Sequence, residues 1–364
     1  MNKLKVIQLL PELNIGGVER GTKDFSNALC EQGHESLVIS NGGIFEKEII
    51  ANGARHIKLP VHKKNLFFWN TSNKLKKIYE QEKPNIIHIR SRMPAWINYY
   101  ATKNLSYKPY LISTFHGIYS TPVYSQIMSK VDHTIAISET VKEYILSTYK
   151  IPEDRITVIP RGCDTNLFNT YDLSEETISN LENEYPQIKN KLILTLPARI
   201  SKWKGIDCFI ELLSKLDKTK YHGLIVGPTS KSKNKYLSKL KSKIKNLDIH
   251  NQITFTGSRN DISDIYKISD IVFNLSIEPE PFGRTTIEAI SCGSKVIGWD
   301  HGGTKEILEK LYPNGLIKLN DIESLKERVI EVSELNYPKP NINIFTSEKM
   351  ISSTIELYYK LLSN

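Results

Sequence analysis

Two doubly wound α/β domains in series are the fold this sequence predicts, and three observations predict it. Short Ile- and Val-rich runs alternate with longer helical patterns along the chain. The runs are continuously apolar, and a polar, acidic stretch divides them into two sets. A continuous apolar run marks a strand buried on both faces, the condition of a parallel sheet covered by helices. A length of 364 residues suits two such domains.

In the first half the strand candidates are "LKVIQLL" (4–10), "SLVIS" (36–40), "NIIHIR" (85–90), "YLISTFHG" (110–117), "HTIAIS" (133–138) and "ITVIPRG" (156–162). In the second they are "KLILTLPAR" (191–199), "HGLIVG" (222–227), "QITFTG" (252–257), "DIVFNLS" (270–276), "SKVIGWD" (294–300) and "NGLIKL" (314–319). Helical patterns fill the intervals, as βαβ units require. The expected division is an N-terminal domain over 1–172, a linker over 173–190 and a C-terminal domain over 191–340. A final amphipathic helix, within 341–364, is expected to pack back towards the first domain.

Composition narrows the function. No apolar run approaches the roughly 20 residues that span a bilayer, and "MNKLKVIQLLPEL" is too briefly apolar for a signal peptide. Cytoplasmic placement is the expectation, with possible peripheral contact at the inner face of the cytoplasmic membrane. Cys30, Cys163, Cys208 and Cys292 have no paired spacing and read as reduced core residues. The net charge of +9 is uneven: residues 1–170 hold 22 Lys+Arg against 15 Asp+Glu. A basic half suits an anionic partner.

Ligands of open α/β sheets bind beyond the carboxyl ends of the strands, so a site in the cleft between the domains is expected. After the first strand, Gly16 and Gly17 form a turn that opens a helix, a place for an anion or simply a tight βα turn. The pattern is not GxGxxG, which argues against a nicotinamide cofactor. His116 stands at the tip of the fourth strand. His88, Arg90 and Arg92 cluster near the end of the third, either for an anionic acceptor or as a solvated basic loop. Arg199 and Lys204 follow a buried strand and suit a diphosphate, Arg as a planar fork of donors and Lys as a point charge.

In "EPEPFGRTTIEAISCG" (278–293) the prolines stiffen the approach to a helix that begins near Phe282 or Gly283. Glu280 and Glu288 are eight residues apart, about 12 Å along a helix. That is about the length from a sugar through a diphosphate to a ribose. The amides of Phe282, Gly283, Arg284 and Thr285 would meet the phosphates at the helix N-terminus. Glu278 lacks the spacing to Glu288 and reads as a surface residue or a secondary contact. The lysine-rich "SKSKNKYLSKLKSKIKNL" (230–247) places Leu237, Leu240, Ile244 and Leu247 at helical spacing, which predicts a solvated helix packed by one face.

Taken in order, these stretches resemble the retaining GT-B glycosyltransferases of family 4, the sugar-nucleotide-dependent glycosyltransferase group 1 type. The resemblance is carried by "GGVER", "TFHG", "ISETVKEYI", "RITVIPRGCDTNLF", "PARISKWKG", "FTGSRNDISDIYKISDIVFNLS" and "EPEPFGRTTIEAISCGSKVIGWDHGGTKEIL". It implies a GT-B fold of two Rossmann-like domains and transfer of a sugar from a nucleotide-diphosphate sugar to a hydroxyl of a glycan or lipid-linked acceptor. Lipopolysaccharide or cell-surface polysaccharide synthesis is the implied setting. By resemblance, Glu280 would bond the sugar hydroxyls and Glu288 the ribose, while Arg199 and Lys204 would hold the diphosphate. His116 would touch the sugar, and Gly16 and Gly17 would line the phosphates. Gly227, at the end of a strand, joins the donor-binding set; Glu19 and Asp24 are acceptor-side candidates. No general acid is needed with so good a leaving group, unlike glycoside hydrolysis. The chain lacks Asp-x-Asp and HExxH, so neither a metal nor a cofactor is expected.

Two other readings are carried forward. A sugar-nucleotide epimerase of the same fold would rearrange the donor without an acceptor. A basic nucleic-acid-binding protein would suit a pI near 9.1, although the chain has no RNP pattern, GXXG or zinc finger.

Overall fold

A computed structural model describes residues 3–63, 68–229, 234–335 and 340–363. The chain forms two compact units, one of Met1–Pro160 with Met350–Asn364 and one of Arg161–Lys349.

In the first unit the strands are β1 (Lys5–Leu9), β2 (Glu35–Ser40), β3 (Arg55–Lys58), β4 (Ile86–Ile89), β5 (Tyr110–Phe115), β6 (His133–Ala136) and β7 (Ile156–Val158). Its helices are α1 (Gly17–Glu31), α2 (Glu46–Ala51), α3 (Phe68–Glu82), α4 (Arg92–Thr102), α5 (Pro122–Ser125) and α6 (Glu139–Tyr149). The sheet runs β3-β2-β1-β4-β5-β6-β7, every described pair parallel. All six strands expected here form. The seventh, β3, is a sheet-edge strand reading "RHIK" with both ends exposed. An edge strand needs no continuous apolar run, so its sequence gave no strand signal.

The second unit contains α7 (Glu175–Glu184), β8 (Leu192–Pro197), α8 (Ile206–Ser214), β9 (Tyr221–Val226), α9 (Asn234–Asn246) and β10 (Ile253–Gly257). There follow α10 (Ile262–Ile268), β11 (Ile271–Asn274), α11 (Arg284–Ser291), β12 (Lys295–Trp299), α12 (Gly302–Leu311), β13 (Leu316–Ile317) and α13 (Ile322–Glu334). The last helix, α14 (Ser347–Ser363), passes from Met350 into the first unit. The second sheet runs β10-β9-β8-β11-β12-β13, again parallel, and contains the six expected strands. In both sheets the strand order reverses beside the first strand, between β1 and β4 and between β8 and β11. The loops after those four strands are where such folds take ligands.

The segment expected as a linker is instead part of the second unit. Ser174 caps α7 by accepting from the Thr177 amide at 3.2 Å, and Leu181, Tyr185 and Ile188 pack with Leu224, Val226 and Ile265. Leu181 lies on α7, whereas Tyr185 ends it and Ile188 closes the short turn that follows, so the three are spread thinly through a polar stretch. The first boundary falls at Pro160 rather than at 172, because Cys163 is bonded into the second unit. Its amide donates to the Phe345 carbonyl at 2.7 Å and its carbonyl accepts from Ser347 at 2.9 Å. Of the lysine-rich stretch, residues 230–233 lie outside the described residues. In α9, Leu240 and Ile244 enter the core, while Leu247, just past its end, is exposed.

The first unit closes its core with residues from the end of the chain. Ile355, Leu357 and Tyr358 join Val6, Phe25, Leu29, Ile86 and Ile112 in one cluster. Tyr358 is fully buried, packs edge-on to Phe25 at 5.8 Å and hydrogen-bonds His88 Nδ1 at 2.5 Å. Tyr358→Ala is expected to cost about 3–5 kcal/mol through the cavity it leaves. Tyr358→Phe should cost about 1–2 kcal/mol through the orphaned imidazole nitrogen. Urea unfolding of the two variants checks the order.

Candidate functional site

The second unit brings Lys204 and Glu280 together at its sheet's switch point. Lys204 ends a short turn after β8, followed by Gly205 at φ 69°, which begins α8. A Cβ on Gly205 would lie 1.9 Å from the Leu275 carbonyl oxygen, so only glycine lets this turn lie against the chain leaving β11. The close approach brings the Lys204 ammonium onto Glu280 Oε1, with Ser276 Oγ 3.4 Å away. Ser276 Oγ donates to the same carboxylate oxygen at 2.6 Å. His301 Nε2 bonds the Ser276 carbonyl oxygen at 2.7 Å, tying the loop after β11 to the loop after β12. Arg199 is exposed two residues beyond β8, and Gly227 packs against its backbone, where a Cβ would stand 2.2 Å from the Ala198 oxygen.

Two helices begin beside Glu280. Gly283, at φ 86°, caps α11 without a side-chain bond, and α12 begins at Gly302 and Gly303. The Gly303 amide donates to the Glu280 carbonyl at 2.7 Å. A Cβ on Gly302 would meet the Glu280 backbone at 2.7 Å, and one on Gly303 would meet Phe282 at 2.4 Å. The N-terminal ends of α11 and α12 therefore lie against one another. Together they present a positive backbone field with Glu280 held beside it.

Glu280 itself lies outside the helix, because α11 starts only at Arg284. The 12 Å helical spacing between Glu280 and Glu288 is thus corrected: only the part from Arg284 to Glu288 rises as a helix. Glu288 is buried and accepts from Arg284 Nε at 2.8 Å, one helical turn away. The Phe282 side chain is buried and packs on Phe345 at 6.0 Å, which leaves its backbone amide as the group for a ligand. Thr285 is half-buried in the first turn, and Glu278 is exposed. Burial pushes the Cys163 and Cys292 thiols up to about 12, so neither supplies a thiolate at neutral pH.

In the first unit, Gly16 and Gly17 open α1, and the Glu19 carboxylate folds back over Gly16, within 2.1 Å of where a Cβ would sit. Asp24 pairs with Lys23 at 3.3 Å. His116 follows directly after β5 and is half-buried. His88 is corrected: it is a core residue, with Nδ1 on Tyr358 and Nε2 on Thr114 Oγ1 at 2.6 Å. Burial holds it well below the usual imidazole range, and no acceptor can reach it. Arg90 is likewise buried, donating to Gln8 at 2.8 Å over the Phe25 ring, and burial lowers it to about 10, still charged at neutral pH. Arg92 begins α4, donates to Thr121 and Ser125 at 3.1 and 3.3 Å, and stacks over Tyr119 and Tyr124.

Residues 15–167 match the model described as Glycosyltransferase Family 4, and residues 178–345 match Glycosyl transferases group 1. A glycosyltransferase structure from Rickettsia africae ESF-5 superposes with a TM-score of 0.87 at 33% identity, all of each chain covered. This chain belongs to the family 4 glycosyltransferases. It is a hexosyltransferase-type enzyme with the GT-B fold. HepE from Anabaena, solved with UDP and glucose, shares the fold with a TM-score of 0.78 at 19% identity, covering 98% of this chain and 100% of that one. The N-acetyl-alpha-D-glucosaminyl L-malate synthase of Bacillus anthracis is 22% identical over 99% of this chain and 98% of its own.

Ser276, His301, Gly302 and Gly303 pack around Glu280 in this candidate site, and sequence reasoning left them without roles. Two signals pointed to them. Ser276 closes the strand run "DIVFNLS", and "HGG" after β12 repeats the paired-glycine helix opening of Gly16 and Gly17.

Proposed function

We propose that this enzyme transfers a sugar, with retention at the anomeric carbon, from a nucleotide-diphosphate sugar to a hydroxyl of a glycan or lipid-linked acceptor. The carrying observation is the Lys204–Ser276–Glu280 cluster beside the paired N-termini of α11 and α12. A carboxylate fixed by two donors before any ligand arrives is ready to accept sugar hydroxyls without further ordering cost. Lys204 spends two N–H groups on Ser276 and Glu280, and we assign the third to a phosphate oxygen. With Arg199 and the backbone amides of both helices, it would stabilise negative charge as the nucleotide departs. Glu288, holding Arg284, is assigned to the ribose side, and Gly227 gives the donor close access to the backbone beside Arg199. His116 and the Gly16–Gly17 turn are assigned to the sugar and phosphates from the first unit.

The HepE structure was solved with UDP and glucose, which supports a nucleotide sugar as the donor class here. The reaction needs no cofactor on this reading and no metal, since cationic side chains and helix ends supply the positive charge. Among the described residues no group of three or more His, Cys, Asp or Glu side chains is placed to hold a metal ion.

The acceptor assignment extends to lipopolysaccharide or cell-surface polysaccharide synthesis at the cytoplasmic membrane face, through peripheral contact. Among the described residues no helix is long and apolar enough to cross a membrane. Supporting contact at the surface is an aromatic cluster on the first unit: Phe68, Trp69, Trp96, Tyr99, Tyr100 and Tyr124, rings 4.8 to 6.5 Å apart. Trp69 is 60% exposed and Tyr99 40%, and amphipathic rings of this kind favour a bilayer interface.

UDP-glucose as probe donor, with a polyprenol-linked glycan as acceptor, tests transfer. Glu280→Ala should lower the rate by about 10²–10³-fold with the fold intact by circular dichroism. Retained turnover would overturn the assignment, and epimerised probe without acceptor would favour the epimerase reading. Excess EDTA should leave the rate unchanged; loss restored by a divalent ion would refute metal independence. In flotation, the protein should rise with vesicles containing phosphatidylglycerol and stay down with neutral ones, while Trp69→Ala weakens the association.

A further inference from the structure

Ser40, His56 and Glu46 make a second constellation, in the first unit, to which nothing above gives a role. Ser40 Oγ lies 2.9 Å from His56 Nε2, and His56 Nδ1 lies 3.3 Å from Glu46 Oε1. The order is that of nucleophile, base and orienting carboxylate. Ser40, however, is fully buried at the end of β2, and its Oγ already accepts the Gly42 amide at 3.0 Å. No carbonyl substrate can reach it, so the chemistry available is positional.

The direction of each bond follows from the donors. An ionised carboxylate only accepts, so His56 carries its proton on Nδ1 and Nε2 accepts from the Ser40 hydroxyl. The chain of bonds runs from the Gly42 amide through Ser40 and His56, with His56 in turn donating to Glu46. It ties the end of β2, the body of β3 and the start of α2 to the turn over residues 41–46.

That turn holds the segment leading into α1. Asn41 donates to the Pro11 carbonyl at 2.9 Å, Leu13 to the Gly42 carbonyl at 2.9 Å and Phe45 to the Leu13 carbonyl at 3.1 Å. Gly43 approaches so closely that a Cβ would lie 2.4 Å from the Leu13 carbonyl carbon. Asn14 follows at once, and Gly16 two residues later. We propose that Ser40, His56 and Glu46 are positioning residues that hold the 10–14 segment, and through it the Gly16–Gly17 turn, in its bound-ready place. This rests on the assignment of that turn to the donor.

The hold depends on a neutral imidazole. Burial lowers His56 below its usual range; Glu46 on α2 opposes the shift and Lys58 on its own strand adds to it. A histidine depressed in the folded state stabilises above its unfolded pKa of about 6.5, and that contribution is lost as pH falls through the folded value. The segment should therefore be held at neutral pH and loosen on acidification.

Hydrogen exchange of peptides covering residues 8–17, without substrate, tests this, corrected for intrinsic rates. At neutral pH, His56→Phe and Ser40→Ala should exchange about tenfold faster there, with the second unit unchanged. Acidification below an imidazole pKa should give wild type the same increase and leave His56→Phe flat. With UDP-glucose, the variants should raise KM more than they lower kcat, and His56→Gln should restore part of the loss. Should His56→Phe not fold, Glu46→Gln, at a half-exposed position, carries the same readouts. Unaltered exchange in the variants, or an acid response that persists in His56→Phe, overturns the proposal. Exchange needs no turnover, so a failed transfer assay would count against the function and leave the relay result standing.

Discussion

Lys204 meets Glu280 across 76 residues of chain, and the second unit is arranged around that meeting. Two opposite charges held largely out of water are stable only when paired and further hydrogen-bonded; removing either partner strands the other. Ser276 supplies the additional bond, and His301 fixes the backbone of Ser276. Gly205 makes the meeting possible sterically, because any side chain there would collide with the end of β11. A constraint on one glycine thus sets where a charge pair lies, beside the N-terminal ends of two helices that other glycines bring together.

The strands were legible where burial on both faces forced continuous apolar runs. Twelve runs were read and all twelve form strands. The exception, β3, shows the limit of the signal: an edge strand with exposed ends can be built from Arg, His and Lys, and only pairing with β2 reveals it. Residues 173–190 failed for a related reason, since Leu181, Tyr185 and Ile188 are too sparse to stand out among acidic neighbours.

Site legibility divided along the same physical line. Glycines at strand ends could be read, because few other residues tolerate those backbone shapes or approaches. Partners could not. Nothing in "HIRSR" distinguishes a histidine that faces solvent from one whose two nitrogens are consumed by Thr114 and Tyr358. Nor does the spacing of Glu280 and Glu288 reveal that the first is held from a loop and the second from a helix. Contacts between residues distant in sequence are a property of the packed chain, and local pattern carries little of them.

Because Ile355, Leu357 and Tyr358 complete the first unit's core, that unit is discontinuous in the order of synthesis. Chains usually fold domain by domain from the N-terminus as they leave the ribosome. Here the contiguous second unit, Arg161–Lys349, has all its residues available before the first can bury Phe25 against Tyr358. The nascent chain therefore carries an unsealed apolar patch through the whole translation of the second unit, and closure comes only with the final helix.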